Sequence, residues 1–285
     1  MAIRFIIDSG SDILPHEAEA LGIVHVPLTV RFGTEEFRDA VDLSHREFYE
    51  RLIESDVLPA TSQITPVTFD RVFSETTANG DVAICITVSS KLSGTYQSAC
   101  FAAGSYPGRV FVVDSENVCV GIRILVQRGL ELLRETDDPE EIVCRLNMEK
   151  KRIRVLALLD TLEYLKRGGR ISTATAVAGG ILGIKPVAAI VDGSITMVGK
   201  ARGSKQGNNL LRQLVAKDGG INFDKPFALA YSGLSDALLQ KYISDSAELW
   251  EGKTEVMPIS TVGCVVGTHA GPGAIALAYF GSEEY

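Results

Sequence analysis

DVAICITVSSKLSGTYQSACFAA, residues 81–103, leads from an apolar run through a hydroxyl-rich loop into a small-residue helix. Residues 81–89 read as a central strand, since the run is apolar on both faces and too short for a buried helix. RVFVVDS (109–115) is the next strand, and the stretch between them is its crossover helix. Two strands joined through a helix pair in parallel, so the fold is α/β with a parallel sheet covered on both faces. Ser93-Gly94-Thr95 sets a glycine between two hydroxyls just beyond the strand, where backbone can approach a ligand closely. The end of a parallel strand is also where helix N-termini offer free N–H groups, so the loop suits a small oxyanion.

Upstream, IRFIID (3–8) is a short buried strand and VHVPLTVRF (24–32) alternates like a half-exposed one. Ser44 and Glu47 have capping-box spacing for a helix over 44–54. Thr65 followed by Pro66 opens another that ends near Gly80. Downstream, helices are predicted over 117–134 and over 139–151, the second capped by Asp138. EKKRIR (149–154) is the candidate boundary, dividing the 285 residues into domains 1–152 and 153–285, each of a size that supports its own core. The second half reads as a strand over 153–160, the basic turn KRGGRIS (166–172) and a small-residue helix over 173–181. A hairpin over 185–202 turns at Asp192-Gly193. A helix over 204–217, a strand over 227–233, a helix over 235–249 and a strand over 254–261 complete it.

A formal charge of −8 argues against a nucleic-acid surface, so any anion is captured locally. The opening residues hold a short strand and no signal-peptide core, and no apolar run approaches a membrane span, which predicts a cytoplasmic protein. Five cysteines without CxxC pairing read as buried, reduced thiols.

Hydroxyl-rich loops recur at DSGSD (8–12), TSQ (61–63), SSKLSGT (89–95) and SGLSD (232–236). Each alone reads first as a helix cap, and only their combination suggests a site. GTHAGPG (267–273) reads as a rigid turn around His269, whose ring suits either a neighbouring carbonyl or a ligand. Arg170 and Arg202 stand as surface charges or ligand groups alike. The chain has no GxSxG elbow, phosphate loop, HExxH or complete GxGxxG, and no base accompanies Ser93. Binding is therefore the expectation, with no catalytic residue, cofactor or metal.

The segments IIDSGSD, TSQITP, ITVSSKLSGTYQSA, VVDSENV, LDTLEYLKRGGRIS, GGILGIKPV and VVGTHAGPGAIALAYF, in this order and spanning essentially the whole chain, resemble the DegV family of bacterial fatty-acid-binding proteins. The resemblance implies two α/β domains with a long-chain fatty acid such as palmitate between them, its acyl tail buried. Thr61 and Ser93 would hydrogen-bond the carboxylate, Ser62, Gly94 and Thr95 would shape the loop, and His269 would lie close by. It further implies a carrier that presents the acid to a separate ATP-binding fatty acid kinase subunit, with Arg170 and Arg202 assisting that encounter. A stand-alone acyl hydrolase or kinase-like enzyme is the alternative, and lipid transport or sensing, with transient membrane contact, a third reading. Two departures from the family pattern are Ile64-Thr65 ahead of Pro66 and Gly-Ile-Leu-Gly at 180–183, which bears on the tail pocket.

Overall fold

The computed structural model describes residues 2–55, 57–171 and 183–281. Its first sheet holds four strands in the order Val24–Val26, Ile3–Asp8, Val82–Thr87, Val110–Asp114, all parallel. Every residue of Val82–Thr87 is buried, as an inner strand covered by helices on both faces requires. The predicted caps form: Ser44 Oγ accepts from Glu47 N (3.3 Å) while Glu47 Oε2 accepts from Ser44 N (3.0 Å). Thr65 likewise caps Pro66–Thr77 through Thr68 N, and Asp138 caps Pro139–Glu149 through the N–H groups of Glu140 and Glu141.

The second sheet has six strands in the order Ser194–Arg202, Ile184–Val191, Ile153–Leu158, Ile275–Phe280, Ala228–Tyr231, Ile259–Thr261. Neighbours run antiparallel except the last pair. Its hairpin turns where the sequence predicts, with Asp192 and Gly193 both at positive φ. Between the two sheets lies helix Val120–Leu132, which packs on strands of both. Most of its residues are buried, as suits a position between layers, and Ile122, Ile124 and Leu125 share one continuous core with Phe5, Val155, Ala228 and Phe280. Arg128, nearly buried on this helix, is matched by Glu131, Glu135 and Glu149, and Glu149 also holds Lys225 from the second half.

Several expectations need correction. The strand expected over 24–32 is two: Pro27 has no N–H for a ladder and Leu28 N donates to Ser9 Oγ, so Thr29–Phe32 leaves the first sheet. It enters a separate three-stranded antiparallel sheet between Glu35–Arg38 and Ala60–Ser62. Residues 267–270 of the expected glycine-rich turn belong to helix Cys264–Ala270, so His269 sits in a last helical turn, and the turn proper is Gly271–Gly273. Strand Ile275–Phe280, inside the second sheet, was not anticipated. The helix over 235–249 breaks at Ser246, and the strand over 254–261 shrinks to Ile259–Thr261. Of the five thiols, Cys100 and Cys144 are exposed on outer helix faces. The helix predicted over 173–181 lies outside the described residues. No helix among the described residues is long and apolar enough to cross a membrane.

Candidate functional site

A cavity of ≈ 250 Å³ opens between the sheets. One part of its wall is aliphatic: Ala157 on the first strand of the second half and Leu159 just beyond it, Ala188 and Ile190 on the hairpin, and Ile275 with Ala276 on the central antiparallel strand. Small residues on these strands leave room that larger core side chains would fill. Of the stretch 173–190, rich in small and aliphatic residues, the described part supplies Ala188, Ala189 and Ile190 to the wall.

The polar wall is built from four segments. Thr61, Ser62 and Gln63 come from strand Ala60–Ser62 and the residue after it, Ser93 and Gly94 from the loop ahead of helix Thr95–Ala103, Arg170 from the basic turn, and His269 from helix Cys264–Ala270. Thr61 Oγ1 and His269 Nε2 are 2.9 Å apart, a hydrogen bond spanning 208 residues of chain. Arg170 donates from Nε to Leu92 O (3.1 Å) and from Nη1 to Gly168 O (2.6 Å), pinning the basic turn to the hydroxyl loop. Ser93 Oγ lies 2.9 Å from Thr95 Oγ1 and accepts from Thr95 N, so it serves as the local cap while facing the cavity. Thr95 is fully buried behind it and does not reach the cavity wall.

Two glycines make this packing possible. A Cβ on Gly94 would fall 2.0 Å from Gln63 Oε1, and one on Gly168 would fall 2.1 Å from His269 Nδ1. Both are close-approach positions where any side chain displaces a wall residue. Gln63, whose Nε2 donates to Ser98 Oγ (3.0 Å), thereby joins the site from the far side of Gly94. Sequence reasoning placed Gln63 in the TSQ loop without giving it a role, and its contact with Gly94 has no local sequence signal.

Burial pushes His269 down to about 4, and the nearby Arg170 cation adds to the push. The imidazole is therefore neutral at pH 7, and its Nδ1 is buried with no hydrogen-bond partner among the described residues. Burial also lowers Arg170 from its ordinary value, yet a guanidinium stays protonated at any pH where the fold survives. Among the described residues the wall thus offers one cation, several hydroxyls and a neutral ring. Arg202, by contrast, is exposed at the end of strand Ser194–Arg202 and does not line the cavity.

Behind the site the DSGSD loop is buried and structural. Asp8 accepts from Gly10 N (2.9 Å) and Val88 N (2.6 Å), tying the ends of two parallel strands. Asp12 Oδ1 accepts from Gly263 N (2.9 Å) and Asp39 Oδ1 from Cys264 N (3.0 Å), so two carboxylates from the first half hold the N-terminus of the helix that carries His269. Burial raises Asp8 and Asp12 each to about 7. Asp39 carries no motif in the sequence, since its partners are brought from positions 9, 264 and 265 by the fold.

The model of the DegV family of uncharacterised proteins matches residues 2–282. The chain belongs to the DegV family. A DegV domain-containing protein of Caldanaerobacter subterraneus is 34% identical over 280 residues, covering 97% of this chain and 98% of that protein. Among solved structures, a DegV family protein from Thermus thermophilus described by its fatty acid binding has a TM-score of 0.87 at 32% identity, covering 98% of this chain and 100% of its own. DegV of Bacillus subtilis, described as a fatty acid binding protein, has a TM-score of 0.82 at 29% identity over 98% and 99% of the two chains. The Fak B3 protein of Streptococcus pneumoniae, a fatty acid kinase protein loaded with linoleic acid, shares the fold at 22% identity with a TM-score of 0.85.

Proposed function

We propose that this DegV protein binds one long-chain fatty acid between its two lobes, residues 1–152 and 153–285, and presents it to an ATP-binding kinase subunit. The observation that carries the reading is a cavity whose aliphatic wall meets a hydroxyl-rich wall with a single cation. A sixteen-carbon tail has about 14 methylenes, and at ~0.8 kcal/mol each their full burial contributes on the order of 11 kcal/mol before the costs of association. The tail therefore supplies the affinity. The carboxylate needs partners, because an unpaired charge in a dry pocket costs several kcal/mol. Ser93, Thr61 and, as a donor once its tautomer is set, His269 meet that need, with Ser62, Gly94 and Thr95 shaping the loop and Arg170 supplying charge. Arg202, outside the cavity, belongs to the encounter with the kinase.

The same geometry disfavours a hydrolase. His269 Nε2 is engaged by Thr61, and among the described residues Ser93 Oγ bonds Thr95 as a cap does, with no general base beside it. The fatty-acid binding of the Thermus thermophilus and Bacillus subtilis relatives supports the reading. Mass spectrometry of a denaturing extract tests it: purified protein yields about one fatty acid per chain, and delipidated protein takes up a labelled long-chain acid. Protein that carries no fatty acid and takes none up overturns the proposal.

A further inference from the structure

Asp39, His45 and Cys264 bring one carboxylate oxygen, one ring nitrogen and one sulfur within 4.8 Å of one another beneath the cavity. We propose that these three side chains, with the Asp12 carboxylate as the fourth donor, form a binding site for a divalent transition metal of the zinc type. Thiolate, imidazole and carboxylate together are the donor set of zinc and cobalt, and soft sulfur disfavours magnesium and calcium. A tetrahedral ion with bonds of about 2.0–2.3 Å separates its donors by about 3.5 Å. His45 Nε2 and Asp39 Oδ1 stand 3.9 Å apart and the sulfur lies within 4.8 Å of its fellow donors, so the three draw in by up to about 1 Å to hold an ion.

Independent of that spacing, Asp12 is 2% exposed and, the Cys119 thiol beside its carboxyl apart, its Oδ2 has no hydrogen-bond partner among the described residues. Its carboxylate faces the same space: the point where a Cβ on Gly263 would sit lies 2.8 Å from Asp12 Oδ1, 3.2 Å from His45 Nε2 and 3.4 Å from Asp39 Oδ2. A buried carboxylate oxygen left without a partner is rare in a native protein and calls for a water or an ion. The Cys264 thiol makes a long contact to Leu43 O (3.6 Å) and a hydrogen bond to the Asp39 carboxylate, and a metal–sulfur bond replaces both. Metal binding replaces the thiol proton, which leaves to solvent, by a metal–sulfur bond. Arg123 is the positive charge near the site, and it is paired with Glu17 at 2.8 Å.

Such an ion would clip the 39–45 segment of the first half to the N-terminus of the helix whose other end carries His269. Sequence spacing hides the site, because its ligands lie at 12, 39, 45 and 264 with no paired motif. The full chain, stripped with chelator and titrated with Co²⁺, tests it. One equivalent of Co²⁺ gives a thiolate-to-cobalt charge-transfer band and the intense visible bands of a tetrahedral ion, and Zn²⁺ displaces them. Cys264→Ser abolishes the charge-transfer band, whereas a Cys100→Ser, Cys144→Ser variant keeps it. His45→Gln weakens Co²⁺ binding by more than about tenfold. Zn²⁺ raises the unfolding temperature of the wild type and not of His45→Gln. Absence of any band in the wild type, or an equal band in Cys264→Ser, overturns the proposal.

Discussion

Gly168→Ala tests the packing of the site through its sign. Gly168 has helical backbone angles (φ −72°, ψ −8°), a conformation alanine adopts freely. On backbone grounds alone the substitution stabilises by about 0.4–1 kcal/mol, because it narrows the unfolded ensemble. The added methyl, however, lands 2.1 Å from His269 Nδ1 and 2.8 Å from Cε1, with Tyr164 O at 3.1 Å on another side. The imidazole cannot retreat without releasing Thr61 Oγ1, which holds Nε2 at 2.9 Å. Loss of that bond costs about 1 kcal/mol and overpacking a further 1–3 kcal/mol, so the net change is a destabilisation of roughly 1–3 kcal/mol. In a His269→Ala background the methyl has space, and the same substitution becomes neutral or stabilising. Urea unfolding of the four proteins in this double-mutant cycle then reports an interaction energy of about 2–4 kcal/mol. A Gly168→Ala protein as stable as the wild type, within about 0.5 kcal/mol, refutes the claim that the basic turn and the His269 helix are locked together.

Further expectations concern ligand, charge and pH. Ser93→Ala with Thr61→Val weakens long-chain fatty acid binding by about tenfold or more, read by fluorescence displacement, because two carboxylate donors are lost from a water-poor wall. Ala188→Phe fills the aliphatic part of the cavity and weakens binding of a sixteen-carbon acid far more than that of an eight-carbon one, measured by calorimetry; equal losses would place the tail elsewhere. Arg202→Glu leaves fatty acid binding within about twofold but lowers acyl phosphate formation in the presence of ATP and a kinase subunit, which radiolabelled phosphate transfer reads. His269 binds a proton near 6.5 when unfolded and at about 4 when folded, so its contribution is intact above pH 6.5 and lost as pH falls from 6.5 towards 4. Asp8 and Asp12, raised to about 7, act oppositely over that range, gaining stability as pH falls. The informative quantity is therefore the difference between wild type and His269→Gln, whose acid limb is shallower.

Much of this arrangement is legible in the sequence because its causes are local. The capping box at Ser44 and Glu47, the cap and proline at 65 and 66, and the Asp192-Gly193 turn each rest on atoms within a few residues, and each forms. The continuous apolar run of Val82–Thr87 likewise predicts its own burial. Features set by distant partners are not legible. Residues 267–270 read as part of a glycine-rich turn, yet they lie in helix Cys264–Ala270 because Asp12 and Asp39, more than 220 positions away, satisfy its first N–H groups. Strand Val24–Val26 ends where it does because Ser9 Oγ takes Leu28 N, a bond that no alternation pattern announces. At the site, the motif residues Thr61, Ser93, Arg170 and His269 do converge, but the turn-to-ring packing of Gly168 on His269 and the seat of Gln63 on Gly94 emerge only from the fold. Thr95 and Arg202 resemble their neighbours in sequence and differ in place, one buried behind the wall and the other on an exposed strand end.

The most direct test is a crystal structure of the chain saturated with palmitate. The account predicts continuous density with its carboxylate within hydrogen-bonding distance of Ser93 and Thr61, and a tail running past Ala188, Ile190 and Ile275. Density with the head group at the aliphatic end, or lobes closed with no elongated ligand between them, would contradict it.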